Sequence, residues 1–357
     1  MGLFNVYPLY DVTPVSAKGV YIYDQDDLEY LDLYGGHAVI SIGHGHPKYV
    51  DAITNQVAKL GFYSNAIQNP LQKQLATKIE ILSGCKGYQL FLCNSGAEAN
   101  ENALKLASFK TGKSRVIAFR NGFHGRTSAA VAATDNAAII APINAQQKVT
   151  TLELNDLQGV EKELKKGDVC AVIIEFIQGV GGLDQATANF FEKVNALCKE
   201  NNTFFIADEV QSGYGRSGEF FAFQHYNVTP DIISIAKGMG NGFPIGGILI
   251  HPSIEAKFGM LGTTFGGNHL ACVASLSVLN VIEEEALMDN VKNMSEYFIK
   301  IAKTIPQIKK IKGRGLMLGL EFEFEVADLR KKLIYNYQIF TGGAANKKLL
   351  RILPPLT

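Results

Sequence analysis

The chain has 357 residues, of which 47% are hydrophobic, and its 34 Lys and Arg residues balance its 34 Asp and Glu residues. A chain of this size can bury a large core and is long enough for two domains. Zero formal net charge without a Lys/Arg block argues against nucleic acid or an acidic membrane as the main partner. Five scattered cysteines without a CxxC pair indicate neither a zinc site nor a disulfide framework.

The usual targeting signals are not recognisable in the sequence. The N-terminus, MGLFNVYPLYDVTP, has no basic region followed by an apolar stretch, which a secretory signal peptide would need. No apolar run reaches the ~18 residues that suggest a membrane span. We therefore expect a soluble, cytoplasmic protein.

The N-terminal part of the chain predicts a hairpin and two helices. Residues 19–33 alternate apolar and polar side chains on both sides of a polar turn at 24–27, which is typical of a β-hairpin. Residues 48–60 and 70–82 have the apolar spacing of helices. Three histidines fall between residues 37 and 46, but no nearby Cys or acid completes a metal site, so we expect a turn or a pocket wall there and no metal.

The next elements predict an anion site. Residues 89–93, QLFLC, indicate a short strand, and the turn NSGAEAN at 94–100 leads into an amphipathic helix. A small, polar, glycine-containing turn that opens a helix brings free backbone N–H groups and the positive helix end together, and this arrangement suits phosphate. The alternative is that Asn94 or Ser95 serves only as an ordinary N-cap.

A second polar turn follows the predicted strand at 114–119. It reads NGFHGRT (121–127) and combines Phe123, His124 and Arg126 with glycines. An aromatic ring could stack on a flat ligand, and an arginine could hold a carboxylate through two N–H groups. The alternative is a surface loop with an incidental arginine.

Strands alternate with helices through the centre of the chain. CAVIIEF at 170–176 indicates a buried strand, a helix follows at 188–201, and two short apolar runs lie at 204–207 and 231–236. This alternation across residues 85–250 predicts an α/β fold with a largely parallel sheet covered by helices.

The two short apolar runs end on charged residues, Asp208 and Lys237. Ligands of open parallel sheets bind beyond the carboxyl ends of the strands, so both residues could face one ligand. Each should have a partner, because burying an unpaired carboxylate or ammonium is costly. Pyridoxal phosphate would satisfy both, since it offers a basic ring nitrogen to the acid and an aldehyde to the lysine.

The stretch Gly213-x-Gly215-x-x-Gly218 matches the dinucleotide-binding fingerprint. Residues 209–212 separate it from the strand, and the following EFFAFQHYNVTP has no helical face, although the fingerprint should open a helix. We interpret the match as fortuitous and keep a nucleotide-dependent dehydrogenase only as the alternative.

The C-terminal third predicts a smaller α/β unit. The polar loop GTTFGGN at 262–268 could meet phosphate, or it could cap the long apolar helix predicted at 270–283. A helix, strand pieces at 315–324 and another helix follow, and the N-terminal hairpin could join them. Near the end, Arg351 lies in an apolar setting, so it is either paired or ready to bind an anion.

Taken together, these stretches resemble the class III (ornithine-type) pyridoxal-phosphate aminotransferases, most closely the N-acetylornithine aminotransferase group. The likeness extends over residues 13–355 and rests on five motifs in the family's order: NSGAEANENALKLA (94–107), FHGRT (123–127), IADEVQSGYGRSG (206–218), IAKGMGNGFPIG (235–246) and GTTFGGN (262–268). It implies the α/β type I aminotransferase fold, with a mostly parallel central sheet in a large cofactor domain (47–267). A smaller α/β domain would be built from both chain ends (1–46 and 268–357). It also implies a homodimer with active sites at the subunit interface.

The resemblance also implies roles for individual residues. Lys237 looks like the lysine that holds pyridoxal phosphate as a Schiff base, and Asp208 looks like the carboxylate beneath the pyridine nitrogen. The other cofactor positions match Gln211 at the ring hydroxyl, Phe123 as the stacking aromatic, Ser95, Gly96 and Ala97 at the phosphate, and Thr264 as a phosphate ligand from the neighbouring subunit. Substrate positions match Arg126 and Thr263, which would hold the acylornithine, and Arg351, which would bind a substrate carboxylate.

The implied reaction moves the δ-amine of an N-acylornithine to 2-oxoglutarate, giving the N-acyl-glutamate semialdehyde and glutamate, in arginine biosynthesis. The acyl group is acetyl or succinyl, and an ω-aminotransferase for ornithine, a diamine or 4-aminobutyrate is the alternative. Related enzymes commonly carry Glu where this chain has Val180, and that Glu can neutralise the arginine matching Arg351. Relatives also usually continue with a final helix beyond RILPPLT, the motif at which this sequence ends.

Overall fold

The computed structural model describes all 357 residues, Met1–Thr357. The strands are β1 (Pro14–Lys18), β2 (Tyr21–Asp24), β3 (Glu29–Asp32), β4 (Gln89–Cys93), β5 (Arg115–Phe119), β6 (Val149–Leu152), β7 (Val169–Ile174), β8 (Phe204–Asp208), β9 (Ile232–Ile235), β10 (Gly246–Ile250), β11 (Lys310–Arg314), β12 (Met317–Glu321), β13 (Ile339–Phe340) and β14 (Leu349–Ile352). The helices are α1 (Gly35–Ala38), α2 (Pro47–Lys59), α3 (Pro70–Ser83), α4 (Gly96–Thr111), α5 (Ser128–Ala132), α6 (Leu157–Leu164), α7 (Ala188–Glu200), α8 (His269–Glu284), α9 (Leu287–Ala302) and α10 (Ala327–Tyr337).

The largest sheet has seven strands in the order β4-β10-β9-β8-β7-β5-β6. Only β10 runs against the others, since it pairs antiparallel with both β4 and β9. The strands β5 and β7 are buried along their whole length, in keeping with their sequences RVIAF and VCAVII, which are apolar apart from Arg115. The predicted α/β fold with a mostly parallel central sheet is confirmed, with β10 as the exception.

Helices cover this sheet, and polar side chains cap the N-termini of several of them. Asn69, Ser95 and Asn268 cap α3, α4 and α8, because each side chain accepts a hydrogen bond from a backbone N–H in the first turn. Ala99, Ala103 and Ala107 are fully buried at every fourth position of α4. These small side chains let α4 lie close to the sheet, and the helix begins three residues after the end of β4.

Two smaller sheets use both ends of the chain. One has the order β1-β2-β3-β13, and the other β11-β12-β14. The predicted hairpin is present as β2 and β3, and β13 joins it in parallel, with Ile339 opposite Leu31. This sheet therefore brings residues of the C-terminal part next to the N-terminal hairpin.

No helix combines the length and the hydropathy that crossing a bilayer requires. The clustered histidines face different carboxylates: His44 Nε2 lies 2.9 Å from an oxygen of Asp32, and His46 Nε2 lies 2.9 Å from an oxygen of Glu285. No group of three or more His, Cys, Asp or Glu side chains is placed to hold a metal ion.

Candidate active site

Asp208 and Lys237 lie at the carboxyl ends of adjacent parallel strands. Asp208 is the last residue of β8 and pairs with Ser234 of β9, while Lys237 opens the turn that follows β9. Both side chains line one cavity of about 330 Å³. The structure therefore brings together the two charged residues that the sequence places at strand ends.

The carboxylate of Asp208 is buried and held by three donors. Its Oδ2 accepts hydrogen bonds from Asn100 Nδ2 (2.8 Å) and His124 Nδ1 (2.7 Å), and its Oδ1 accepts one from the Val210 backbone N–H (3.1 Å). Burial acts to lower the pKa of His124, but the hydrogen bond to Asp208 and the charges of Asp208 and Glu175 outweigh it and raise that pKa. His124 and Asp208 thus form a buried hydrogen-bonded pair, and both residues line the cavity.

Lys237 is half-buried, and its backbone has a conformation that residues other than glycine rarely adopt. Its φ is +47°, in the left-handed region, and such strained residues concentrate at functional sites. Burial lowers the pKa of Lys237, and the charge of Arg351 lowers it further, against the opposing carboxylates of Asp208 and Glu175. A lysine with a lowered pKa gives up its proton more readily, as a nucleophile or a proton carrier must.

The N-terminus of α4 forms another wall of the cavity. This wall contains Ser95, Gly96 and Ala97. The hydroxyl of Ser95 also accepts a hydrogen bond from the Glu98 backbone N–H (3.2 Å). Ser95 is therefore both the N-cap of α4 and a residue of the cavity wall. A Cβ on Gly96 would lie 2.5 Å from Val210 Cγ1, so only glycine fits there. The positive end of a 16-residue helix and its free N–H groups thus face the cavity, an arrangement suited to an anion.

The cavity wall also contains buried polar atoms without a partner. Gln211 donates through Nε2 to the His37 carbonyl (3.1 Å), but its Oε1 is unpartnered, as is Oδ1 of Asn100. Glu175 accepts the Phe123 backbone N–H (2.9 Å), and burial raises the pKa of Glu175. Buried polar atoms are nearly always paired, so the oxygen of Gln211 is placed to accept from a bound ligand.

Some of the predicted cofactor and substrate residues line the cavity and others do not. The predicted residues that line the cavity are Ser95, Gly96, Ala97, Phe123, Arg126, Asp208, Gln211 and Lys237. Thr263, Thr264 and Arg351 are not among the lining residues. Thr263 Oγ1 accepts from Asn94 Nδ2 (3.4 Å), so it borders a lining residue, whereas Thr264 is exposed to solvent.

Arg351 is buried on β14 and bound only by uncharged acceptors. Its Nε donates to the Gly343 carbonyl (2.5 Å), its Nη1 to the Gly179 carbonyl (2.8 Å) and its Nη2 to the Tyr34 hydroxyl (3.2 Å). Burial lowers the pKa of Arg351. The groups that accept hydrogen bonds from Arg351 are therefore two backbone carbonyls and one tyrosine hydroxyl.

Sequence reasoning missed the partners of Asp208 and part of the wall. His124 belongs to the quoted FHGRT motif and Asn100 to NSGAEAN, but neither motif indicates that its residue contacts Asp208. A buried carboxylate requires hydrogen-bond donors, but the sequence does not show which residues supply them. Val39 and residues 242–245 also line the cavity, and their apolar or glycine character gave no signal.

The dinucleotide fingerprint at 213–218 is a false positive. It does not open a helix, since only the one-turn helix Ala222–His225 follows. The turn instead encloses Arg216, which is 2% exposed and donates to the backbone carbonyls of Leu316 (3.1 Å) and Pro354. Gly215 and Gly218, on either side of this arginine, have positive φ angles of 85° and 92°, which glycine adopts readily.

Comparison with known proteins adds the following similarities. The family model for aminotransferase class-III matches residues 5–357. The acetylornithine aminotransferase of Bacillus subtilis (strain 168) is 38% identical, with 99% of this chain and 93% of the relative covered. That of Aquifex aeolicus (strain VF5) is 41% identical, with 99% and 94% covered.

Solved structures are similar over almost the whole chain. The ornithine aminotransferase from Toxoplasma gondii ME49 superimposes with a TM-score of 0.91 at 28% identity, covering 99% of this chain and 88% of the other. The N-acetylornithine aminotransferase from Stenotrophomonas maltophilia K279a has a TM-score of 0.82 at 30% identity, covering 98% and 92%.

Proposed function

Because the chain belongs to the class-III aminotransferases, which are pyridoxal-phosphate-dependent enzymes, we propose that it transfers the δ-amine of an N-acylornithine to 2-oxoglutarate. The observation that carries the proposal is the single cavity shared by Lys237, Asp208 and the N-terminus of α4. The similar acetylornithine aminotransferases support acetyl as the acyl group. The products would be the N-acyl-glutamate semialdehyde and glutamate, and the reaction would serve arginine biosynthesis.

The residues present fit pyridoxal phosphate. The N-terminus of α4 would hold the phosphate, Asp208 the ring nitrogen, Phe123 the ring face, and the unpartnered oxygen of Gln211 the ring hydroxyl. Lys237 would bind the aldehyde. When bound, the cofactor supplies this aldehyde and a ring that takes up the electron pair left by a departing proton.

Each side chain then has a defined task in the proposed reaction. Lys237 would take a proton from the substrate carbon that bears the amine, and in the reverse reaction it would give a proton back to that carbon. Its lowered pKa favours this role, because more of the amine is neutral and able to accept a proton. Asp208, held by His124 and Asn100, stabilises a positive charge on the ring nitrogen.

Three residues, Arg126, Arg351 and Thr263, would orient the substrates. Arg126 lines the cavity, is exposed, and would clamp the α-carboxylate of the acylornithine together with Thr263. The distant δ-amine would then face Lys237, and the acyl group blocks the α-amine. Arg351 would bind a carboxylate of 2-oxoglutarate.

We also propose a homodimer and the two-domain division 47–267 against 1–46 with 268–357. The exposed position of Thr264, away from the cavity of its own chain, supports a role as a phosphate ligand in the neighbouring subunit. The pairing of β13 with β3 supports a small domain built from both chain ends.

An absorbance assay of the half-reaction tests the proposed substrate. The enzyme is loaded with pyridoxal phosphate, and N-acetylornithine, N-succinylornithine, ornithine and 4-aminobutyrate are added separately while the yellow colour is followed. Fast bleaching by one acylated ornithine, with slow response to the free amines, is the expected result and identifies the acyl group. Bleaching by ornithine or 4-aminobutyrate alone would contradict the proposal and move the enzyme to another amine.

A further inference from the structure

The turn that follows β9 supplies the part of the cavity wall that carries Lys237. Ala236 and Lys237 line the cavity at the start of this turn, and residues 242–245 line it at the end. Between them lies Asn241, whose φ is +46°, close to the +47° of Lys237 itself. Two left-handed residues so close together make a strained turn, and such a turn persists only where the surrounding structure holds it.

The side chain of Asn241 joins this turn to a segment from the N-terminal part of the chain. Its Oδ1 accepts hydrogen bonds from the backbone N–H groups of Ser41 (2.8 Å) and Ile42 (3.1 Å), and its Nδ2 donates to the Gly43 carbonyl (2.9 Å). Asn241 is buried, so these bonds form away from water. A buried polar group with all its partners in place rigidifies its surroundings, and here it fixes the turn against Ser41, 200 positions earlier in the chain.

Ser41 also holds the turn through its side chain, directly beside Lys237. Its Oγ donates to the carbonyl of Gly238 (2.7 Å), the residue that follows Lys237. Ser41 is 1% exposed, so this hydrogen bond is also buried. Neither Ser41 nor Asn241 is among the residues that line the cavity, so both can act on a bound molecule only through the residues that they hold.

We infer that Asn241 and Ser41 are positioning residues that fix the backbone of Lys237, so that its amine stays at the reacting carbon during proton transfer. The inference rests on the proposed function, in which Lys237 carries that proton, and it adds two residues that act through the lysine. A lysine has a flexible four-carbon stem, so its backbone is the fixed point from which the amine reaches into the cavity. A displacement of about 1 Å in an active site can lower the reaction rate about 100-fold.

A substitution by glycine tests this without straining the backbone. Asn241→Gly removes the side-chain hydrogen bonds, while glycine adopts a positive φ readily. Asn155→Gly is the matched control, because Asn155 also has a positive φ (70°) and its Oδ1 also accepts a backbone N–H, that of Thr187 (2.8 Å). Asn155 does not line the cavity. Ser41→Ala is a smaller change, which removes only the hydrogen bond to Gly238.

The half-reaction of the enzyme loaded with pyridoxal phosphate separates positioning from binding. For Asn241→Gly, we expect the maximal rate of bleaching by the amine substrate to fall about 10- to 100-fold, because the proton carrier is displaced. The half-saturating amine concentration should change less than about 2-fold, because the residues that line the cavity are intact. Ser41→Ala, which loses a single hydrogen bond, should slow bleaching about 3- to 10-fold. Asn155→Gly should match the wild type in both quantities.

Hydrogen exchange of the loaded enzyme without substrate gives a readout that does not depend on turnover. Backbone amides of residues 238–243 should exchange faster in Asn241→Gly and in Ser41→Ala than in the wild type, because the turn opens more easily when its hydrogen bonds are removed. The same amides should exchange at the wild-type rate in Asn155→Gly. Mass spectrometry of the peptides that cover this turn measures the difference.

Three results would overturn the inference. Unchanged exchange in Asn241→Gly would show that its side chain does not hold the turn. A wild-type rate of bleaching despite faster exchange would show that Lys237 does not need a fixed turn. A rise in the half-saturating concentration as large as the fall in rate would show that Asn241 acts on substrate binding instead.

Two further outcomes have their own reading. If thermal unfolding shows that Asn241→Gly does not fold, Ser41→Ala decides the same question through the same measurements. If no acylated ornithine bleaches the wild-type enzyme, the proposed substrate is wrong, and the variants are then compared with the amine that does bleach it.

Discussion

Replacing Gly96 with alanine should block the proposed phosphate site by steric overlap. The new Cβ would lie 2.5 Å from Val210 Cγ1 and 3.1 Å from Val210 Cγ2, closer than carbon atoms pack. Either the first turn of α4 or the segment carrying Val210 must move. Because Val210 lies between Asp208 and Gln211, this movement displaces two of the residues proposed to hold the cofactor ring.

The size of the effect follows from the cost of overpacking. Added methyl groups in well-packed sites cost about 1–3 kcal/mol. If this cost arises only in the cofactor-bound enzyme, the dissociation constant for pyridoxal phosphate should rise about 5- to 150-fold, because 1.4 kcal/mol corresponds to a tenfold change in that constant. Titration of the apoprotein with the cofactor, followed by visible absorbance, measures this constant directly.

A second substitution provides the control. In Gly96→Ala with Val210→Ala, both Cγ atoms are gone and the nearest remaining atom of residue 210 is Cβ at 3.4 Å, an ordinary contact. Cofactor affinity should therefore return most of the way to that of Val210→Ala alone. Wild-type affinity in Gly96→Ala, or no recovery in the double variant, would refute the steric reasoning, and thermal unfolding shows whether the fold has been lost instead.

Three other substitutions give separate tests. Lys237→Ala should abolish turnover and the yellow colour of the loaded enzyme while keeping the fold by circular dichroism, so a normally active variant would remove Lys237 from the chemistry. Arg126→Ala should raise the KM for the acylornithine about tenfold, as loss of a charged hydrogen bond predicts, and an unchanged KM would show that Arg126 is not the clamp. Burial raises the pKa of Glu209 to about 7 from the ordinary 4.5. Its contribution to the free energy of unfolding is therefore complete below about pH 4.5 and is lost, by about 3 kcal/mol, as the pH rises through 7. Denaturant unfolding at about pH 5 and about pH 8 should show this loss in the wild type and a smaller loss in Glu209→Gln. An equal loss in both proteins would show that Glu209 is not its source.

Local sequence was sufficient for most of the central sheet. The sequence predicts the strand at 89–93 with the bounds that the structure has, and it predicts Asp208 and Lys237 at strand ends because each apolar run stops at a charge. The strands β6 and β10 were not predicted, and neither was the reversed direction of β10. Its sequence GGILI is as apolar as a parallel strand, so composition carries no information about direction.

Contacts between distant parts of the chain were beyond sequence reasoning. His124 and Asp208 are 84 positions apart, and Tyr34 and Arg351 are 317 positions apart. No periodicity or motif links such residues, because their proximity is set by how the strands and the chain ends are ordered. Arg351 was therefore predicted to bind an anion, but Tyr34 was not recognised as its partner.

The pairing of β13 with β3 has a consequence for biosynthesis on the ribosome. The hairpin of β2 and β3 precedes β13 along the chain, so one side of β3 has its partner, Ile339 opposite Leu31, only after β13 has been synthesised. Until then the nascent chain carries an open strand edge, which invites pairing with other chains. The hydrogen bond between Tyr34 and Arg351 also forms only after β14 has been synthesised, because Arg351 lies on that strand.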